Sequence, residues 1–135
     1  MLRKPLLSGG RDFLRIDVGQ SIEHPQTRQR IVFRRTAAST GGEAVVIEAH
    51  LGPGCRGLGP HEHPQQELRI QVVQGTLSFR LGGRRISLGA GDRLTVPAGV
   101  SHTYWNAGAE PALFVAEIRP ALDFEALIER HFTAT

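Results

Sequence analysis

Short segments with strand-like composition, separated by glycine-rich turns, are the feature that most constrains the fold of this chain. Sixteen glycines and eight prolines in 135 residues leave little room for long helices. Strands at this spacing, with no helices between them, predict an antiparallel sandwich or barrel. The predicted strands are residues 13–18, 30–36, 44–51, 68–74, 76–81, 84–88, 93–96, 102–106 and 113–118.

The carboxyl-terminal segment has a different period. Its apolar or aromatic positions recur every three or four residues, as on one face of a helix: Phe124, Leu127, Ile128 and His131. Asp123 precedes them and can cap the first turn. We therefore predict a short amphipathic helix over residues 124–132.

Composition indicates one ordinary globular domain, with 40% hydrophobic and 21% charged residues. No run of about 18 apolar residues is present, and the first residues lack the apolar core of a signal peptide, so neither a membrane span nor secretion is expected. The single cysteine, Cys55, cannot form an internal disulfide. The expected location is cytoplasmic.

The net charge is +3 and the pI is about 10.0, yet the arginines are dispersed along the chain. A nucleic-acid surface requires basic residues clustered on one face with stacking aromatics. We expect no nucleic-acid partner.

Three histidines form a candidate metal site. His61 and His63 are one residue apart and point to the same side of an extended chain. His102 follows about forty residues later, after a turn that contains Pro97 and Gly99. Neutral imidazoles that converge inside a closed sheet suit Zn, Fe, Ni, Cu or Mn. The alternative is a surface histidine pair in a loop.

Two sequence motifs resemble those of the cupin superfamily. The segment GDRLTVPAGVSHTYWN, residues 91–106, matches the second cupin motif, G-x5-P-x-G-x2-H-x3-N, at every fixed position. The first motif, G-x5-H-x-H-x3,4-E-x6-G, is matched by His61, His63, Glu67 and Gly75. It departs in two places: Cys55 stands at the first glycine, and one extra residue separates Glu67 from Gly75. The chain thus resembles a small single-domain cupin.

This resemblance implies an all-β fold, a cupin or jelly-roll β-barrel with a short C-terminal helix. The barrel would cover residues 13–120, preceded by an N-terminal arm, 1–12, and followed by the helix and tail, 121–135. Cupins are usually dimers, so we expect a homodimer. The resemblance also implies one divalent transition metal (Fe, Zn, Mn or Ni), held by His61, His63 and His102, with Glu67 as the family's fourth ligand.

Strand parity argues against Glu67. Leu68, Ile70 and Val72 form one face of the strand, and Glu67 shares the opposite parity with its polar neighbours. If the apolar face lines the barrel, Leu68 occupies the place of the family's acid. A bulge would restore Glu67 to the interior. The predicted pocket residues are Leu68, Ile70, Val72 and Tyr104.

The functional prediction is a small metal-binding cupin that acts on a small molecule in the barrel interior, with a dioxygenase or an isomerase as the candidate activities. Three histidines without an acid resemble the thiol-dioxygenase branch of the superfamily. The alternative is a non-enzymatic small-molecule binding or sensing module, with or without metal. Fold alone does not choose between them.

Overall fold

The computed structural model describes residues 16–57 and 63–133, and within these ranges nine strands and two helices are formed. The strands are β1 Ser21–Glu23, β2 Arg30–Arg35, β3 Val45–Leu51, β4 Glu67–Gln74, β5 Thr76–Leu81, β6 Arg84–Gly89, β7 Arg93–Val96, β8 His102–Trp105 and β9 Ala112–Arg119. The helices are α1 Ala37–Thr40, between β2 and β3, and α2 Phe124–Thr133. The predicted all-β class with a short C-terminal helix is confirmed.

The strands form two antiparallel sheets. The larger has six strands in the order β1-β2-β3-β9-β4-β7, and the smaller has three in the order β6-β5-β8. The chain passes between the sheets after β4, after β6, after β7 and after β8. Residues distant in sequence therefore face one another across a shared interior.

Alternating burial along the strands creates that interior. In β3, Val45, Ile47, Ala49 and Leu51 are buried while the residues between them are half exposed. Successive side chains of a strand point to opposite faces, so this alternation directs one apolar face inward. The smaller sheet supplies Phe79, which is fully buried. Truncating a buried phenylalanine of this kind to alanine costs about 3–5 kcal/mol.

Gly75 forms the reversal between β4 and β5. Its φ is +77°, and a Cβ at this position would lie 2.3 Å from the carbonyl oxygen of Pro111. Backbone conformation and space both require glycine here. The turn carries the chain from the larger sheet to the smaller one.

The predicted amino-terminal strand, residues 13–18, is not formed in its described part. Residues 16–18 are not in a strand, residues 13–15 lie outside the described residues, and the first described strand is β1. Val18 is 57% exposed, so its apolar character does not report a buried strand. The predicted arm, residues 1–12, lies outside the described residues.

The buried face of α2 differs from the predicted one. Phe124, Ile128 and Phe132 are buried at four-residue spacing, whereas His131 is exposed. Three large apolar side chains at i, i+4 and i+8 determine which face of the helix is buried. The polar imidazole of His131 remains exposed. Neither helix in the described part of the chain has the length and apolarity to cross a membrane.

Candidate metal centre

His63 and His102 come together inside the barrel from the two different sheets. His63 precedes β4 of the larger sheet, and His102 is the first residue of β8 in the smaller one. Their ring centroids are 5.2 Å apart and the rings are tilted by 33°. The residues are 4% and 2% exposed, and both Nε2 atoms are buried. Two imidazoles are thus side by side in a space shielded from solvent.

A backbone hydrogen bond joins the two histidine-bearing segments. The Gly99 amide, in the turn before β8, donates to the carbonyl oxygen of His63 at 2.8 Å. Gly99 has a φ of +82°, which only glycine adopts at no steric cost. The turn therefore holds the start of β8 against the residues that precede β4.

The tautomer of His102 follows from its neighbour. Nδ1 lies 3.1 Å from the carbonyl oxygen of Val100. A carbonyl oxygen only accepts hydrogen bonds, so Nδ1 carries the proton in the neutral ring and Nε2 keeps its lone pair. Burial lowers the pKa of His102 below its ordinary value, and the Val100 carbonyl opposes that shift only in part. The side chain is neutral at pH 7, which is the form that binds metals.

The predicted ligand set is described only in part. His61 lies outside the described residues, and within residues 16–57 and 63–133 no three histidine, cysteine or acidic side chains are grouped closely enough to hold a metal. The two described imidazoles suit a borderline transition metal in chemistry and burial. A complete site needs at least one further donor.

Glu67 and Leu68 lie on opposite faces of β4. The Glu67 carboxylate accepts a hydrogen bond from Arg69 Nε at 2.7 Å, on the outer face of the sheet. There it lines an open groove of about 510 Å³ together with Arg93 and Glu117. Leu68 is 8% exposed and lines the interior together with His63. β4 pairs with β9 in regular register from Glu67 to Val72, so no bulge turns Glu67 inward.

A small cavity of about 30 Å³ lies beside the two histidines. Of the predicted pocket residues, Leu68, Ile70 and Tyr104 line it, while Val72 is buried in the core elsewhere. The remaining lining is apolar and comes from both sheets and from α2: Ile31, Ile47, Phe79, Phe114, Ala116, Ile118, Phe124 and Ile128.

Tyr104 is fixed at the cavity wall by a buried amide. Gln29 is fully buried and its Nε2 donates to the hydroxyl of Tyr104. The Tyr104 ring packs edge-on against Phe114, with centroids 5.2 Å apart. Sequence reasoning placed Tyr104 in the interior but missed Gln29, whose isolated polar side chain carries no pattern.

Phe124 and Ile128 also line the cavity, and sequence reasoning did not place them there. They belong to α2, and the Phe124 ring centroid is 5.9 Å from that of His63. The helix was predicted from the spacing of its apolar residues, but this local spacing does not determine where the helix packs on the barrel.

The remaining histidines have structural contacts elsewhere. His24 Nδ1 accepts hydrogen bonds from the amides of Gln26 and Thr27, both at 3.1 Å, and so closes a turn. His50 Nε2 lies 3.6 Å from Glu48 on the outer side of the larger sheet. His131 is exposed on α2. Their placement agrees with the sequence-based view that these three lie outside the metal motif.

The family model for the cupin domain matches residues 47–117, which is just over half of the chain. The chain therefore belongs to the cupin family, and the jelly-roll fold predicted from the two motifs is confirmed. No curated protein matches the sequence.

Several solved structures resemble this chain over most of its length. A predicted oxalate decarboxylase from Thermotoga maritima is 22% identical, with a TM-score of 0.65, over 68% of this chain and 80% of its own. KdgF from Halomonas sp. is 18% identical, with a TM-score of 0.63, over 88% and 94%. A conserved protein of uncharacterised function with a double-stranded β-helix domain, from Klebsiella pneumoniae, is 26% identical, with a TM-score of 0.61, over 80% and 84%.

Proposed function

We propose that this cupin binds one divalent transition metal through His61, His63 and His102 and acts on a small molecule in the barrel interior. The observation that carries the proposal is the pair of buried imidazoles, 5.2 Å apart, at the wall of a small, mainly apolar cavity. His61 is the third donor because its side chain shares the parity of His63 in the His-x-His segment.

The ligand set would be neutral. Glu67 is paired with Arg69 on the outer face and Leu68 stands on the inner one, so no acid of β4 reaches the histidines. A site with three neutral ligands is one charge more positive than a site with three histidines and a glutamate. It holds a divalent cation less tightly and favours an anionic ligand in the vacant position.

The bound metal would supply a Lewis acid or a redox centre to the small molecule beside it. The protein's own side chains do the rest. The apolar wall excludes water, which strengthens every electrostatic interaction inside the cavity. His102 is held in one tautomer by Val100, so its Nε2 lone pair faces away from that carbonyl. A dioxygenase or an isomerase is the class of enzyme this arrangement suits.

A non-enzymatic binding or sensing module is the second candidate. Its support is the composition of the cavity wall: among the described lining residues, only His63, His102 and Tyr104 carry a polar side-chain group. Such a wall offers apolar contact to a ligand but few groups for proton transfer.

Metal content tests the metal site. Wild-type protein reconstituted with Fe, Zn, Mn or Ni is expected to retain one equivalent after desalting. His102→Ala is expected to retain almost none. His50→Ala, which removes a histidine from the outer sheet face, is the matched control and keeps the metal. Absence of metal from the wild type after all four reconstitutions would refute the site.

Oxygen uptake separates enzyme from binder. The reconstituted protein is presented with a panel of thiols, diketones and phenols, and oxygen consumption and product formation are measured. Turnover that disappears in His102→Ala supports the enzyme. Saturable binding with no conversion of any compound, by oxygen uptake or by product analysis, supports the binding module.

We also propose that the protein is a homodimer. Among the described residues, β1 and β7 are the edge strands of the larger sheet, and an edge strand is a template for pairing with another chain. Val73 on β4 is 51% exposed and adds apolar area to the outer face. Light scattering at micromolar concentration should give twice the 14.7 kDa mass of the chain. A monomer mass would contradict it.

A further inference from the structure

Helix α2 covers one side of the cavity beside the two histidines. Phe124 and Ile128 project from it into the cavity wall, and the Phe124 ring lies 5.9 Å from His63. Both residues are almost fully buried. The two side chains thus narrow the space beside the histidines.

Gln66 hydrogen-bonds the segment just before this helix and so links it to the histidine-bearing segment. Its side chain is buried, and Nε2 donates to the carbonyl oxygens of Pro120 at 2.9 Å and Ala121 at 2.7 Å. Gln66 is three residues after His63 in the chain. One short segment therefore carries a candidate metal ligand and the attachment of the helix that covers it.

Further contacts hold α2 in place at both ends. The Glu125 carboxylate accepts a hydrogen bond from the amide of Ala37 at 2.8 Å, and the Ala121 amide donates to the carbonyl oxygen of Gly42 at 3.1 Å. Near the other end, Phe132 packs edge-on against His24, with centroids 5.3 Å apart. The helix is a fixed wall of the cavity rather than a tail.

The space left behind this wall is small. A volume of about 30 Å³ holds roughly two water molecules, since each needs about 10–15 Å³ on this measure. A molecule of more than a few atoms that entered this space entirely would overlap its lining side chains, which include Phe124 and Ile128 of α2.

We infer that Phe124 and Ile128 set the size limit of the ligand, and that Gln66 is the positioning residue that holds them over the histidines. This inference rests on the proposed function for the identity of the site. It names the preferred ligand class as compact molecules of a few atoms, with larger ones excluded unless α2 moves.

Histidine modification in the metal-free protein tests the closure without using the metal. Diethyl pyrocarbonate is added, and modification of His63 and His102 is followed by peptide mass spectrometry, with exposed His131 as internal reference. Wild type should react slowly at both positions. Gln66→Met keeps the side-chain length but removes both hydrogen bonds, and should raise the rates at His63 and His102 by about tenfold through easier local opening.

A core variant separates closure from general loosening. Phe33 is fully buried but does not line the cavity, so Phe33→Ala destabilises the barrel without removing a side chain of the cavity wall. It should leave the two rates within about twofold of wild type when compared under native conditions. Equal acceleration in Gln66→Met and Phe33→Ala would overturn the role of Gln66, and fast modification in the wild type would overturn the closure.

Ligand size is tested in the cobalt-loaded protein by visible absorption. Wild type should bind azide and exclude 4-phenylimidazole. Phe124→Ala should bind both, with affinity for 4-phenylimidazole raised at least about tenfold. If the alanine variant does not fold, Phe124→Leu, which removes less volume from the core, should also bind 4-phenylimidazole more tightly than the wild type. Equal affinity of wild type and variants for 4-phenylimidazole would overturn the size limit.

The two measurements fail independently. If cobalt does not bind to the wild type, the proposed metal site is wrong, while the modification rates still decide whether α2 closes the cavity. If cobalt and azide bind but wild type accepts 4-phenylimidazole as well, the metal site stands and the size limit is wrong.

Discussion

Leu68 lines the cavity beside His63 and His102, while the preceding Glu67 is ion-paired with Arg69 on the opposite face of the same strand. Adjacent residues of a regular strand cannot both face the interior. The acid of the first cupin motif is present in this sequence, but the strand directs it away from the histidines. The position that faces them holds a leucine.

The first prediction concerns removal of the acid at position 67 and introduction of an acid at position 68. Glu67→Gln should change metal affinity by less than about twofold, because the carboxylate lies outside. Leu68→Glu should tighten metal binding at least about tenfold by adding a charged oxygen donor. The same variant should be destabilised by about 3 kcal/mol without metal, because its carboxylate is buried unpaired. Competition with a chelator and urea unfolding measure the two effects. Loss of metal from Glu67→Gln would contradict the placement of the Glu67 carboxylate on the outer face of β4.

Gly57 gives a prediction about the cavity wall. A Cβ at Gly57 would lie 2.2 Å from Cε1 of Tyr104, and the Gly57 amide donates to the carbonyl oxygen of the same tyrosine at 3.0 Å. Gly57→Ala should therefore displace the ring and lower the free energy of unfolding by about 1–3 kcal/mol. Gly52→Ala is the matched control, since nothing lies within 4 Å of a Cβ there. Equal urea midpoints for the two variants would contradict the expected clash.

Asn106 closes the turn that follows β8. Its Nδ2 donates to the carbonyl oxygens of Leu51, Gly52 and Glu110, and its Oδ1 accepts from the Gly108 amide at 2.9 Å. Asn106→Ala should lower the free energy of unfolding by about 2–3 kcal/mol, because buried polar groups lose their partners.

Two further variants sharpen this prediction. Asn106→Asp should cost more than the alanine change at neutral pH, since a carboxylate would face three carbonyl oxygens. Gln71→Ala, an exposed polar truncation on β4, should stay within about 0.5 kcal/mol of wild type. If Asn106→Asp proved as stable as wild type by urea unfolding, the assigned orientation of the amide would be wrong.

Cys55 supplies a pH-dependent prediction. Burial raises the pKa of its thiol above the ordinary value, opposed only in part by a backbone hydrogen bond from the loop at Gly52. A raised pKa lowers the thiolate fraction at any given pH, and the thiolate is the reactive form. Alkylation by iodoacetamide at about pH 8 should therefore be slower than for the same chain in urea, and the rate should keep rising above about pH 9. A native rate equal to the unfolded one would contradict the raised pKa.

Strand positions were predictable because burial alternates along them. The observed strands β2 to β9 begin and end within about one residue of the predicted ones. The four-residue helix α1 was missed because it is too short to show a period. Its signal is the reciprocal capping of Thr36 and Ser39, which resembles many turn sequences.

The positions of site residues were predictable only where the alternation of side chains within a single strand determines them. Parity within β4 separates Leu68 from Glu67, and the structure places the two as that parity requires. The contact of Phe124 with His63 spans sixty residues and depends on how α2 meets the barrel. Gln66 is similar: its hydrogen bonds to Pro120 and Ala121 join residues that no local pattern relates.

The order of strands in the larger sheet also determines when the protein can assemble. β9 lies between β3 and β4, so the two halves of that sheet have no direct pairing with each other. Until residues 112–119 have been synthesised, β3, paired with β2, and β4, paired with β7, each have an unpaired edge at the place of β9. Open edges invite pairing with other chains, and non-local pairing is slow. Premature termination before β9 would therefore yield an aggregation-prone fragment, although it already contains all three motif histidines.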